Sequence, residues 1–144
     1  MSGWRPDLAI EQSVVDEQHQ ELFRRAAEVD TALCGDLTGD PTLLLKYLAD
    51  YCKMHFSTEQ RLMYNAKYPG VRDHLAQHAW FARTLRGIEG ALASGADARG
   101  VAMQLNELIL GWLVNHIAST DKAMGSFLRG QQTALGGART DGTR

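Results

Sequence analysis

His55-Phe56-Ser57-Thr58-Glu59 places an imidazole and a carboxylate at i and i+4. At about 100° per residue the two side chains lie only about 40° apart on one helix face. His74-Leu75-Ala76-Gln77-His78 repeats the spacing with two imidazoles, and His19, His116 and Asp121 lie upstream and downstream. Together these account for all five histidines of the 144-residue chain. Imidazole and carboxylate in such number are the donor set of a borderline or hard metal ion.

The surrounding sequence supplies helices to carry these groups. Asp16 is the expected N-cap of a first helix, with Leu22, Phe23, Ala26, Val29 and Leu33 on one stripe, His19 in register with them, and Gly35 as the stop. Asp40-Pro41 is an N-cap and N1 pair that starts a second helix over about 41–66, whose apolar face holds Leu44, Leu48, Tyr51, Cys52, Leu62 and Met63 together with His55 and Glu59. Tyr68-Pro69-Gly70 breaks it. A third helix over about 70–94 carries Val71, Phe81, Leu85, Ile88 and Leu92 in the row of His74 and His78. A fourth, starting near 97, carries Val101, Leu105, Leu108, Ile109, Trp112 and Leu113, with His116 one turn further. Four amphipathic helices with short linkers, and no strand-like alternation, predict an all-α, up-down-up-down antiparallel four-helix bundle.

Residues 1–15 lack helical period but contain Trp4, Leu8 and Ile10, which predicts an extended N-terminal arm packed on the bundle. The bundle domain is expected over 16–129, and 130–144, polar and glycine-rich, as a disordered tail. The net charge of −2 and pI near 6.2 give no basic stripe for nucleic acid or an anionic membrane. The N-terminus shows no apolar leader and the chain no run of about 18 apolar residues, so the expected location is cytoplasmic. Cys34 and Cys52 are expected to be free, buried thiols.

Counting residues along antiparallel helices puts His19, His55, Glu59, His74, His78 and His116 within about 10 Å of one another along the bundle axis, at about 1.5 Å per residue. His19 and His55 form the lower pair, the other three histidines lie above, and Glu59 falls between. A single histidine on an apolar face is more often a satisfied core residue than a ligand. All five on interior stripes at one level is different, because burying them with two carboxylates and no partner costs several kcal/mol each. A metal centre removes that cost. Seven ligands are too many for one tetrahedral zinc and suit two metals sharing the carboxylates, with iron, manganese and zinc as candidates and iron the usual pair in a bundle. Asp121 does not fit the count. Five residues after His116 is about 500° round a regular helix, so the helix must end, bulge or tighten there.

The chain resembles the hemerythrin family, in particular its single-domain bacterial form. The residues that carry the resemblance are Val15-Asp16-Glu17-Gln18-His19 with Leu22-Phe23, His55-Phe56 through Glu59, Tyr68-Pro69 leading to His74 and His78, and Trp112-Leu113-Val114-Asn115-His116-Ile117 through Asp121, covering about residues 4–128. The resemblance implies two non-haem iron ions: His74, His78 and His116 on one, His19 and His55 on the other, and Glu59 and Asp121 bridging them with a solvent-derived oxo or hydroxo group. It also implies reversible O2 binding, as hydroperoxide, at the iron held by His19 and His55, which keeps an open position. One departure is Gln60, where bacterial relatives often have a second glutamate; it points about 100° from the ligand face.

Two ferrous ions, two carboxylates and one hydroxide leave a charge of +1, and neutral imidazoles favour returning O2 intact over the higher oxidation states that carboxylate-rich centres support. The expectation is therefore a non-enzymatic O2 carrier for storage, transport or delivery, with an oxygen-consuming enzyme as a candidate recipient. The alternatives are a di-iron redox enzyme, acting on peroxide, nitric oxide or ferrous iron, and an O2 sensor working through a separate partner. Phe23, Leu113 and Ile117 are candidates for an apolar wall that keeps water from the centre.

Overall fold

A computed structural model describes residues 3–35 and 39–131. It is built from four long helices: α1 (Ser13–Leu33), α2 (Pro41–Ala66), α3 (Val71–Ala93) and α4. The last begins as regular α-helix over Ala98–Asn106 and widens to a π-helix over Glu107–Leu113. It then narrows for the turn Val114–His116, widens again over Ile117–Asp121, and continues as α-helix over 122–131. Each helix packs against its two neighbours in the cyclic order α1, α2, α3, α4. This is the expected antiparallel four-helix bundle.

The helix ends follow local chemistry. The Asp40 side chain accepts a hydrogen bond from the Thr42 amide at 3.0 Å with Pro41 at N1, and Asp97 accepts from the Gly100 amide at 3.1 Å. Gly35 and Gly95 close α1 and α3 with φ of 96° and 91°, the left-handed conformation that suits a residue without Cβ. After Gly95, the Ala96 amide reaches back to the Ala91 carbonyl, completing a Schellman turn. At the end of α2 the same turn is made with Lys67 in the left-handed position (φ 56°), the Tyr68 amide bonding the Met63 carbonyl. Tyr68-Pro69 thus follows a helix that has already stopped.

Two expectations about the first helix are corrected. It starts at Ser13, so residues 13–15 of the expected arm are helical, and Asp16 lies in the first turn rather than at the N-cap. The Asp16 carboxylate still serves a residue ahead of the helix, accepting from the Ile10 amide at 2.8 Å. That bond folds the arm back on α1. The arm carries a short 3-10 turn over Pro6–Leu8, and Leu8 and Ile10 are buried against the bundle. Gly125 on α4 makes room for it: a Cβ there would stand 2.7 Å from the Ile10 carbonyl oxygen, which also accepts from the Arg129 guanidinium.

At the other end, helix continues through residue 131, two residues into the expected tail, because Leu128 packs into the core and holds that turn. Residues 36–38 of the first linker and 132–144 of the tail lie outside the described residues. Cys52 is buried as expected, but Cys34 is exposed, since it sits at the C-cap of α1 beyond the last residue of the apolar stripe. Among the described residues, no helix is long and apolar enough to cross a membrane.

Candidate metal centre

Each helix sends its polar groups into the same internal layer. His19 comes from α1, His55 and Glu59 from α2, His74 and His78 from α3, and His116 and Asp121 from α4. All seven are between 0% and 5% exposed. The i, i+4 spacings account for the α2 and α3 pairs. Asp121 needs the π-turn: the Lys122 amide bonds the Ile117 carbonyl, five residues back, so one turn absorbs the extra residue that a regular helix would have rotated out of the site. Of the three distortions expected there, the helix bulges.

The two carboxylates divide their oxygens. Glu59 Oε2 lies 2.8 Å from His55 Nε2 and 3.3 Å from His19 Nε2, while Glu59 Oε1 lies 3.0 Å from His74 Nε2 and 3.1 Å from His78 Nε2. Asp121 Oδ2 lies 3.1 Å from His19 Nε2; its Oδ1 lies 3.0 Å from His74 Nε2 and 3.1 Å from His116 Nε2. Two ligand groups result: His19 and His55 with one oxygen of each carboxylate, and His74, His78 and His116 with the other. Each carboxylate therefore spans both groups.

The donor set can be tested for its fit to metal. The Nε2 atoms of His19, His78 and His116, Glu59 Oε2 and both oxygens of Asp121 are buried without a hydrogen-bond partner, although they stand within reach of one another. Left that way, each costs roughly 1–3 kcal/mol. With neutral rings protonated on Nδ1 these atoms are all acceptors, and they converge at the separation of about 3.0 Å found between adjacent corners of an octahedron about 2.1 Å in radius. The residues fit a pair of cations.

Electrostatics give the same reading. Burial by itself would lower His19 and His74, but the facing carboxylates of Asp121 and Glu59 outweigh it and raise both imidazoles to about 9. Burial would raise Glu59, yet it stays well below the usual carboxylate range because the imidazoles of His55, His19 and His74 face it. Asp121 is likewise held low, against its burial and the charge of Glu59, by His116, His19 and His74. Burial pushes His78 down. Protons on two imidazoles thus balance two carboxylates in the metal-free chain, in the place where cations would otherwise supply the charge.

Two glutamines, not singled out from the sequence, orient ligand rings. Gln18 Oε1 lies 2.8 Å from His55 Nδ1 and Gln77 Oε1 lies 2.7 Å from His116 Nδ1. An amide oxygen only accepts, so each ring carries its proton on Nδ1 and turns the Nε2 lone pair to the centre. Gln77 Oε1 also accepts from Thr120 Oγ at 2.9 Å, and Gln18 Nε2 donates to Thr58 Oγ at 3.3 Å. Both glutamines directly precede a ligand histidine in sequence and reach a ring on the next helix. Aromatic faces hold a third ring and support one of these two: Phe56 stacks on His78 at 3.9 Å between centroids and Trp112 on His116 at 4.8 Å. Phe23, Leu113 and Ile117 are all buried in the core. Gln60 is exposed, consistent with its place off the ligand face.

Comparison with known proteins agrees with the geometry. Residues 12–128 match the hemerythrin HHE cation binding domain. The chain is 27% identical to a bacteriohemerythrin of Pseudomonas aeruginosa over 139 residues, 96% of this chain and 89% of that protein. It is also 27% identical to a bacteriohemerythrin of Stenotrophomonas maltophilia (83% of this chain, 76% of the relative) and to a myohemerythrin of Sipunculus nudus (82% and 86%).

Proposed function

The chain belongs to the hemerythrin family, non-haem di-iron proteins that bind O2, and from that premise we propose that it is a reversible, non-enzymatic O2 carrier acting in storage or delivery. The observation that carries this reading is the unequal division of the histidines. Three imidazoles and two carboxylate oxygens surround one position, and two imidazoles and two carboxylate oxygens the other. In this reading His74, His78 and His116 hold one iron, His19 and His55 the other, and Glu59 and Asp121 both. The position with fewer protein ligands is the one open to a small molecule.

The seven side chains would hold a pair of ferrous ions, whose chemistry would be to share two electrons reversibly with O2. The protein's part is to make the return easy. Five neutral imidazoles against two carboxylates give little stabilisation to iron above the ferric state. Gln18 and Gln77 fix the His55 and His116 tautomers, so these ligands do not turn away when charge moves on the metals. Burial of all seven side chains, with Phe23, Leu113 and Ile117 nearby in the core, keeps bulk water and its protons from carrying off reduced oxygen. The setting we assign is the cytoplasm, and a recipient enzyme that consumes O2 fits a carrier of this kind.

The visible spectrum of the anaerobically reduced, iron-loaded protein tests the proposal. Air should turn a colourless solution into one with ligand-to-ferric charge-transfer absorption, and argon should bleach it again over repeated cycles. An irreversible ferric spectrum with no oxygenated species, even on rapid mixing, would place the chain with redox enzymes instead.

A further inference from the structure

An iron centre that binds O2 stops working whenever it is left ferric, and its recovery needs electrons from outside. Here a donor meets little of the site itself, because every ligand side chain is within 5% of complete burial, His78, at the edge of a surface pocket, being the most exposed. Among the described residues, one set of rings stacked on a ligand runs out to a well-exposed side chain. Trp80, on α3, is 43% exposed despite being the kind of side chain that gains most from burial. It stacks on Trp112 of α4, with centroids 5.3 Å apart and planes 29° from parallel. Trp112 stacks in turn on His116 at 4.8 Å and 12°, and His116 Nε2 faces Asp121. Phe81 packs against Trp112 at 5.3 Å and steadies it. Phe56, against His78, is the other aromatic residue stacked on a ligand ring; like Trp112 it is only partly exposed, but among the described residues no exposed ring stacks outside it, and it lacks an indole's easily perturbed electrons.

We infer that the Trp80–Trp112–His116 stack is the path by which electrons from an external one-electron carrier reach the ferric centre. The inference rests on the di-iron reading of the site. Transfer is outer-sphere: no bond forms or breaks, the donor loses one electron, and one ferric ion becomes ferrous. A second donor equivalent reduces the other iron. The indoles themselves are not reduced; their overlapping π-systems couple the donor at the surface to the imidazole inside. A hydrophobic cover over Trp112 would account for the packing of Trp80 but not for any effect on reduction rate.

The test uses the iron-loaded full chain, oxidised to the diferric form and mixed anaerobically with the methyl viologen radical cation. Iron content and visible spectrum are measured first for wild type, Trp80→Leu, Trp112→Phe and, as a control away from the stack, Trp4→Phe. Trp80→Leu should slow the loss of ferric absorption about tenfold or more, equivalent to about 1.4 kcal/mol of barrier. Trp112→Phe, which keeps a ring in place, should slow it less, and Trp4→Phe should leave it unchanged. A second readout needs no reductant: diferric loading should quench Trp80 emission, and Trp112→Leu should restore much of it. Wild-type reduction rates in Trp80→Leu at full iron content and an unchanged spectrum would overturn the inference, as would equal slowing in Trp4→Phe. Fewer than two irons per wild-type chain would instead overturn the di-iron reading, and the path with it.

Discussion

Gln77→Leu separates orientation of a ligand from ligation. The substitution keeps the size of the side chain but removes the oxygen that accepts from His116 Nδ1 at 2.7 Å and Thr120 Oγ at 2.9 Å. Two neutral hydrogen bonds contribute about 1 kcal/mol each, and a buried ring N–H left unpaired costs about 1–3 kcal/mol. Part of that cost falls on the fold, but the ring can avoid it by moving its proton to Nε2, where it would block the metal. Loss of a partner of this kind typically weakens metal binding by about 10- to 100-fold, or about 1.4–2.7 kcal/mol. Because Gln77 serves only the three-histidine group, one of two bound ions should be affected most. Competition between metal-free protein and a chromophoric chelator for ferrous or cobaltous ion, fitted as two steps, gives the two affinities. One should fall by the stated factor, Gln77→Glu should restore it, and Gln18→Leu should produce the complementary loss through His55. Unchanged affinities in Gln77→Leu would refute the assignment of these glutamines as orienting partners.

Gly125→Ala drives a methyl group to 2.7 Å from the Ile10 carbonyl; thermal melts should show a loss of about 1–3 kcal/mol together with faster proteolysis of the arm. For the metal-free chain, His19 and His74 rise from 6.5 to about 9 on folding, so their contribution is complete below pH 6.5 and lost as pH rises through 9. Glu59 is lowered from 4.5, so its contribution holds above that pH and fades below it. His78, lowered by burial, has the opposite sign and costs stability below pH 6.5. Denaturation midpoints of metal-free protein should therefore be highest near pH 6.5 and fall toward pH 9, whereas metal, which displaces those protons, should remove the alkaline decline. A metal-free chain more stable at pH 9 than at pH 6 would contradict the signs.

Most of the bundle could be read from local signals. Asp40-Pro41, Gly35 and the Tyr68-Pro69 break mark helix ends within a residue or two, because capping and left-handed turns depend on side chains close in sequence. His55 with Glu59 and His74 with His78 were legible for a similar reason: i, i+4 spacing fixes a shared face whatever the helix packs against. The start of α1 was not, since its N-cap, Gln12, makes no side-chain capping hydrogen bond and the Asp16 carboxylate reaches backward to Ile10. Asp121 could be seen only as a misfit. A π-turn gains little from its own residues and forms where the site and the packing around Ile117 hold it, which sequence spacing does not record. Gln18 and Gln77 escaped notice because each lies off the ligand positions of its own helix, about 100° from the histidine that follows it. They come into reach only once α1 stands beside α2 and α3 beside α4.

Gas stoichiometry tests the central claim most directly. Protein loaded with iron, reduced and freed of excess reductant is titrated with O2 in a sealed cell, then purged, with released O2 and bound iron both counted. The account predicts two irons and one O2 per chain, recovered as O2 on purging over successive cycles. One iron per chain, or O2 consumed and recovered only as water or peroxide, would contradict it.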